Sequence, residues 1–268
     1  MTLTRAIAAA ITLAALAACS VAKTEGGALS AELKAIDLEA IGEKTGETFT
    51  MLRETHSLAA FEEAAASKDG KASALLGQAY YEGLGVTEDM ARSADLFRQS
   101  CEADYPLGCV FHSFALSSGL GGKPADAPGA VAALTKACDA GSPSGCNLLG
   151  VMYVKGEMVD ADVATAAGLF EKACKGGHAE SCFNIGEQLL LSAKGDGADD
   201  PAALAMLNKA CDGDYADGCH YAGLMYRKGQ GAETDANRSL KLLAKACSLG
   251  ANRSCDDLKE TRDILGIE

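Results

Sequence analysis

From about Thr50 to the C-terminus, apolar side chains fall three and four residues apart, the spacing that gathers them on one face of an α-helix. The best-kept stretch, AAGLFEKACKGGHAESCFNIGEQL from Ala166 to Leu189, is a template onto which other copies align. Four residues before the first cysteine of each copy stand Phe97, Leu134, Phe170, Leu207 and Leu243, with smaller or aliphatic residues five and seven before. A turn follows, carrying Gly141, Gly177 and Gly250, or Asp104 and Asp214, residue types that end helices and start turns. The next helix has Gly150, Gly186 or Gly223 in its middle, with Ser113 in one copy, and ends at Gly119, Gly156 or Gly229. A mid-helix glycine costs about 1 kcal/mol against alanine, so a neighbouring helix is expected to approach closely there. The predicted elements are five helix pairs, roughly 72–102, 106–139, 144–175, 180–212 and 217–248. A cysteine-free copy lies upstream at Phe61–Ser73, and a polar helix from about Ser254 to Leu265 closes the array. Repeated αα-hairpins of this kind make an all-α fold, an α/α solenoid.

Ten of the eleven cysteines form five pairs of constant spacing: Cys101/Cys109, Cys138/Cys146, Cys174/Cys182, Cys211/Cys219 and Cys247/Cys255. Successive pairs begin 36 or 37 residues apart, and each brackets the turn between one helix and the next. The pairing implies five local disulfides and an oxidising compartment. A metal would want closely spaced cysteines with converging ligands. The only imidazole beside a cysteine is His220, next to Cys219, so neither a metal nor a cofactor is expected. Closing so small a loop stabilises by about 2–3 kcal/mol in the chain-entropy picture, which suits a thin repeat with little core per unit. Without a Cys-x-x-Cys motif the disulfides read as structural.

Composition narrows the partners. Aromatics make up 5% of the chain and tryptophan is absent, so the core is built from small aliphatic side chains and a few Tyr and Phe. A net charge of −13 would be repelled by nucleic-acid phosphates and by anionic lipid head groups, and neither is expected as a partner.

The N-terminus carries a different signal. After MTLTR, with its charge at Arg5, an apolar run extends from Ala6 to Ala18. That is too short for a bilayer, which needs roughly 20 residues, and is the pattern of a secretory signal. It ends in Leu16-Ala17-Ala18-Cys19, which resembles a bacterial lipobox. The resemblance implies cleavage before Cys19, acylation at that residue and membrane contact through the lipid anchor only. Ser20 in place of aspartate points, by the same resemblance, to the outer membrane, facing the periplasm. An ordinary cleaved secretory peptide is the alternative, leaving the protein secreted or free in the periplasm. The expected plan is a signal peptide over 1–18, a polar linker over 19–49 with a short helix from Ser30 to Ile41, an N-terminal cap helix over 50–71, repeats over 72–252 and a closing helix over 253–268.

The combination A-x-x-L-[FL]-x-K-A-C, a turn, then G-[CS]-x-x-x-G-x-x-Y-x-x-G resembles the Sel-1-like repeat, a TPR-like unit. The added Cys-x7-Cys resembles the Helicobacter cysteine-rich protein family. The likeness covers Phe61 to Leu258; the second copy departs from it, with Ser113 for Gly, Leu116 for Tyr and a longer loop, GGKPADAPG. The cysteine-rich family brings in a second function class, penicillin binding or weak β-lactam hydrolysis. Ser20-Val21-Ala22-Lys23 fits S-x-x-K and Lys44-Thr45-Gly46 fits K-T-G, but both fall in the expected linker and no S-D-N lies between them. Such short matches are cheap. The four histidines, His56, His112, His178 and His220, are scattered, and no catalytic residue is assigned.

Analogy with related helical repeats puts the first helix of each pair on the concave side, with positions one, five and nine after the second cysteine exposed. The candidate peptide-binding residues are Phe114, Asn147, Val151, Lys155, Phe183, Glu187, His220, Leu224 and Lys228. The function expected is a periplasm-facing lipoprotein scaffold that binds a protein or peptide of the cell envelope. A weak β-lactam-binding hydrolase and a purely architectural lipoprotein are the alternatives.

Overall fold

The computed structural model describes residues 24–38, 45–192 and 200–266, and among these the regular secondary structure is helical. The chain divides into two compact units, Met1–Gly145 and Cys146–Glu268. In the first unit, α1 (Glu25–Leu33), α2 (Thr45–Leu52) and α3 (Leu58–Ala66) precede two hairpins. These are α4 (Gly70–Glu82) with α5 (Met90–Glu102), and α6 (Pro106–Ser118) with α7 (Ala127–Asp139). Helix α8 (Pro143–Lys155) begins at the end of that unit and runs into the second. There it is followed by α9 (Val163–Lys175), α10 (Ala179–Ser192) with α11 (Asp200–Asp212), α12 (Ala216–Lys228) with α13 (Ala236–Ser248), and α14 (Asn252–Leu265).

Local chemistry fixes where these helices start and stop. Asp89, Asp126, Asp162 and Asp235 each precede the second helix of a hairpin and accept backbone N–H groups of its first turn, caps worth about 1 kcal/mol each. At the other end the turns are Schellman pairs. The Gly177 N–H donates to the Cys174 carbonyl at 3.1 Å and the His178 N–H to the Ala173 carbonyl at 3.0 Å, and the same pair recurs after Cys101, Cys138, Cys211 and Cys247. The corner residue is left-handed, with φ of 57° at Asp104, 62° at Asp214 and 97° at Gly177. Only Gly, Asn or Asp visits that region cheaply, which is why the aligned sequences hold Gly or Asp there. Where the corner is aspartate, a lysine of the following hairpin answers it. Lys136 Nζ lies 2.7 Å from Asp104 and donates to the Cys101 carbonyl at 2.7 Å; Lys245 Nζ does the same to Asp214 at 2.8 Å and to Cys211 at 2.6 Å.

The mid-helix glycines stand where two helices touch. A Cβ on Gly150 would lie 2.9 Å from the Phe170 ring, one on Gly186 2.9 Å from Leu207, and one on Gly223 2.9 Å from Leu243. The residues four before each first cysteine are therefore the ridge against which the preceding helix packs; Phe97, Leu134, Leu207 and Leu243 are at most 1% exposed. Burying each such side chain stabilises by about 1.5–3 kcal/mol.

All five cysteine pairs are disulfide-bonded. Cα–Cα distances are 4.3 Å for Cys101–Cys109, 4.8 Å for Cys174–Cys182, 4.4 Å for Cys211–Cys219 and 4.9 Å for Cys247–Cys255.

The expected linker is a correction. Residues 24–38 and 45–49 are folded onto the first unit: Leu29, Leu33 and Leu38 are fully buried, and Phe49 packs at 4.8 Å on Phe61. Helix α1 starts one turn earlier than the helix expected over Ser30–Ile41, on a Thr24 cap. The Gly26 N–H donates to Glu63 at 3.0 Å, His56 meets Glu32 at 2.7 Å, and Lys71 donates to the Leu33 and Ile36 carbonyls at 3.0 and 2.5 Å. Glycine and glutamate suggested solvent, yet the glycine is there for close approach to Glu63, and the glutamates hold the cap together.

Candidate protein-interaction site

The expected surface splits into three layers by position. Directly after the second cysteine, Asn147 (4% exposed), Phe183 (8%) and His220 (4%) are buried and cannot face a partner. This corrects the sequence expectation, and the reason is contact with the next hairpin. Ser181 donates to Asn147 Oδ1 at 2.6 Å, with Asn147 Nδ2 3.5 Å from Glu180. Ser254 Oγ lies 2.8 Å from His220 Nδ1. Phe183 stacks on Tyr215 and Tyr221, centroids 5.2 and 5.7 Å apart. Each polar residue at this place is matched by a serine just before the second cysteine of the following copy, and Phe183 by Gly218, whose Cβ would meet Ala210 at 2.6 Å. The matching of Ser181 with Asn147 and Ser254 with His220 was readable in the aligned repeats.

Five residues after the cysteine, Phe114 is exposed, while Val151, Glu187 and Leu224 are half-buried. Nine after it, Lys155, Lys228 and Leu191 face solvent. Tyr81 meets the Phe114 ring edge-on at 5.7 Å. Apart from Leu191, which shares the aligned place of Lys155 and Lys228, these are the members of the predicted set that a partner can reach.

A cleft that sequence reasoning missed opens in the second unit between α9 and α10, roofed on one side by Val154 of α8. Its volume is about 530 Å³, and Val163, Ala167, Phe170, Ile185 and Leu189 line it, with Glu171, Asn184 and Gln188 as the polar members. The cause is side-chain size. Where α11 carries Leu204, α9 carries Ala167; where α12 carries Tyr226, α10 carries Leu189. The small Ala167 where the two following copies have Leu204 and Leu240, seven residues before the cysteine, was the available signal.

The remaining chemistry is sparse. Ser181 and Ser254, the serines that touch a histidine, are 0% exposed, and both Ser254 and Asp257 (3.7 Å away) approach the same His220 nitrogen. That is a buried joint and has no acylation geometry. Burial holds the His112 and His220 imidazoles below their ordinary values, and the Lys71 ammonium likewise. Ser20, Lys23, Lys44 and the acylation candidate Cys19 lie outside the described residues, whereas Thr45 and Gly46 are buried in α2. Among the described residues no cluster of three or more His, Cys, Asp or Glu is placed to hold a metal, and no helix is long and apolar enough to cross a membrane.

Comparison with known proteins follows the same repeat boundaries. The family profile for the Sel1 repeat matches residues 70–105, 143–178, 179–215 and 216–250, more than half of the chain, and leaves out the divergent second copy. Cytochrome c oxidase assembly factor 7A of Xenopus laevis is 30% identical over 181 residues, 63% of this chain and 75% of its own length. A protective antigen of uropathogenic Escherichia coli strains, described as displaying an SLR fold, superposes with a TM-score of 0.66 at 22% identity; 98% of this chain is covered and it spans 58% of the antigen. Cysteine rich protein B of Helicobacter pylori matches 66% of this chain and 99% of its own at 22% identity, with a TM-score of 0.24.

Proposed function

The chain belongs to the Sel1-repeat family, a family that generally mediates protein–protein interaction, and from that premise we propose that it is an adaptor that holds a protein partner in the cell envelope. In this reading it is tethered through an acylated Cys19 to the outer membrane and faces the periplasm. The five disulfides favour an oxidising compartment, and the lipobox-like Leu16–Cys19 favours the anchor. The observation that carries the binding role is Phe114, 44% exposed in the body of α6 and braced by Tyr81. In the second unit Leu191, 78% exposed on α10, occupies the outermost of the aligned positions. Large apolar side chains held in water on a disulfide-clamped frame are what a partner would cover. A relative whose name is that of an assembly factor adds weight to a role in bringing subunits of an envelope complex together.

In-cell photo-crosslinking tests this. A photoreactive residue at position 114 or 191 is expected to give a discrete adduct, lost when the disulfides are reduced, and one at the exposed Lys241 of α13 none. Adducts at all three, or at none, would remove the adaptor reading. Incorporation of labelled palmitate, abolished by Cys19→Ala, tests the anchor separately.

A further inference from the structure

Resting on the adaptor reading, we propose that the cleft between α9 and α10 is the anchor site for a basic peptide segment of a partner protein. One large apolar side chain enters the cavity, and flanking Lys or Arg residues meet the carboxylates around it. The cavity exists because Ala167 and Leu189 stand where the next joint has Leu204 and Tyr226. Its 530 Å³ falls within the range of ligand clefts, about 300–1,000 Å³. Its mouth is also apolar: Val154 is 48% and Val163 56% exposed. An occupant therefore gains from burying both the floor and the rim.

Charge chooses the occupant. From Val154 to Glu171 the chain carries Glu157, Asp160, Asp162 and Glu171 against Lys155 alone, and α10 has no Lys or Arg. Lys172 and Lys175 lie further along α9; Lys175 is 3.1 Å from Glu171 in a solvent-exposed pair, so a cation entering the cleft competes with Lys175 for that carboxylate. Asp162 directly precedes the rim residue Val163, and Glu171 itself lines the cavity. An uncharged small ligand would leave this acidic surround unused. An anionic lipid, or a second copy of a chain of net charge −13, would be repelled by it. A cationic peptide with an apolar anchor satisfies both features at once.

The test is selection from a randomised twelve-residue peptide library on the oxidised, mature protein, with Ala167→Leu and Glu171→Gln as variants. Ala167 is exposed, so the leucine fills the cleft as Leu204 fills its own joint without crowding the core; an unchanged thermal midpoint checks this. Enriched peptides are expected to share one Leu, Met or Phe flanked by Lys or Arg. They should bind Ala167→Leu about tenfold more weakly or worse, and Glu171→Gln severalfold more weakly at low salt. Enriched peptides that lack basic residues, or that bind Ala167→Leu equally well, would overturn the proposal while leaving the adaptor reading standing. No enrichment, with adducts still formed at positions 114 and 191, would do the same; no enrichment and no adducts would remove both. A dimer in sedimentation velocity that Ala167→Leu abolishes would give the cleft to a second copy and overturn the peptide assignment.

Discussion

Two neighbouring joints of the second unit, α9 against α10 and α11 against α12, use the same positions of the repeat and reach opposite outcomes. At α11/α12, Leu204, Leu207, Met225 and Tyr226 are at most 6% exposed, and Asn208 donates to the Tyr226 hydroxyl at 3.3 Å. At α9/α10 the aligned residues are Ala167, Phe170, Gln188 and Leu189, and a cleft of about 530 Å³ remains. The disulfide turns differ in step. Gly218 lets the α11/α12 joint close tightly beside the apolar Phe183, whereas the α9/α10 joint carries Ser181 bonded to Asn147. One joint is closed by shape. Both keep a Schellman turn and a disulfide, and at α9/α10 the added Ser181–Asn147 hydrogen bond holds the register while the joint leaves room. In a repeat array, where each unit meets only its neighbours, such a vacancy costs little elsewhere and is a ready place for function.

The comparison breaks if the two joints respond alike to truncation. Leu207→Ala, at a fully buried position of the closed joint, should destabilise by about 2–5 kcal/mol in urea unfolding, because the methyl groups it loses leave a cavity that the neighbours cannot fill. Ile185→Ala, half-buried beside an existing cleft, should cost under about 2 kcal/mol. Next in size are the disulfides. Replacing either Cys174/Cys182 or Cys211/Cys219 by serines should cost about 2–3 kcal/mol from loop entropy. Hydrogen exchange should separate the two, with protection lost mainly in α9 and α10 for the first pair and retained across α11 and α12 for the second.

A subtler contrast lies in how the turns are satisfied. Ser181→Gly leaves Asn147 Oδ1 buried without its donor, a loss of about 1–2 kcal/mol. Adding Asn147→Val transplants the apolar solution of the neighbouring joint and should restore most of it in a double-mutant cycle; a double variant no better than the single would show that the hydrogen bond is not what holds this turn. The same pair explains what sequence could and could not convey. The hairpins and their disulfides were legible because their period is covalently marked every 36 or 37 residues. Asn147, Phe183 and His220 were misassigned to a free surface because exposure in a repeat depends on the next copy, and one helix read alone contains no information about it. The cleft was hidden for a related reason, since the void is a sum over three helices and appears only when Ala167 is set against Leu204. Residues 24–38 were mistaken for a linker because two buried leucines four apart, Leu29 and Leu33, were outweighed by the glycines and glutamates around them.

The smallest effect comes from a third kind of joint, where α12 meets α14 and the polar pair is His220 with Ser254. The imidazole also faces Asp257 and Arg253 of α14, and Asp217, Tyr221 and Arg227 of its own helix. Desolvation is the main reason its affinity for a proton is lowered, and Arg253 acts in the same direction. The neutral ring is thus the folded form, and below about pH 6.5 the unfolded chain takes up the proton first. Stability is therefore full above that pH and falls as the pH drops toward the folded-state value, with a slope of at most about 1.4 kcal/mol per pH unit for one site. His112, also held below its ordinary value by burial, adds to the same limb. Urea unfolding followed from pH 7 to pH 5 should show this loss. His220→Asn, which copies the Asn147–Ser181 joint in a form that does not titrate, should flatten the limb and leave only the His112 part. An unchanged slope in that variant would mean that the last joint stays shut whether or not its imidazole is charged, and that the three joints differ in shape alone.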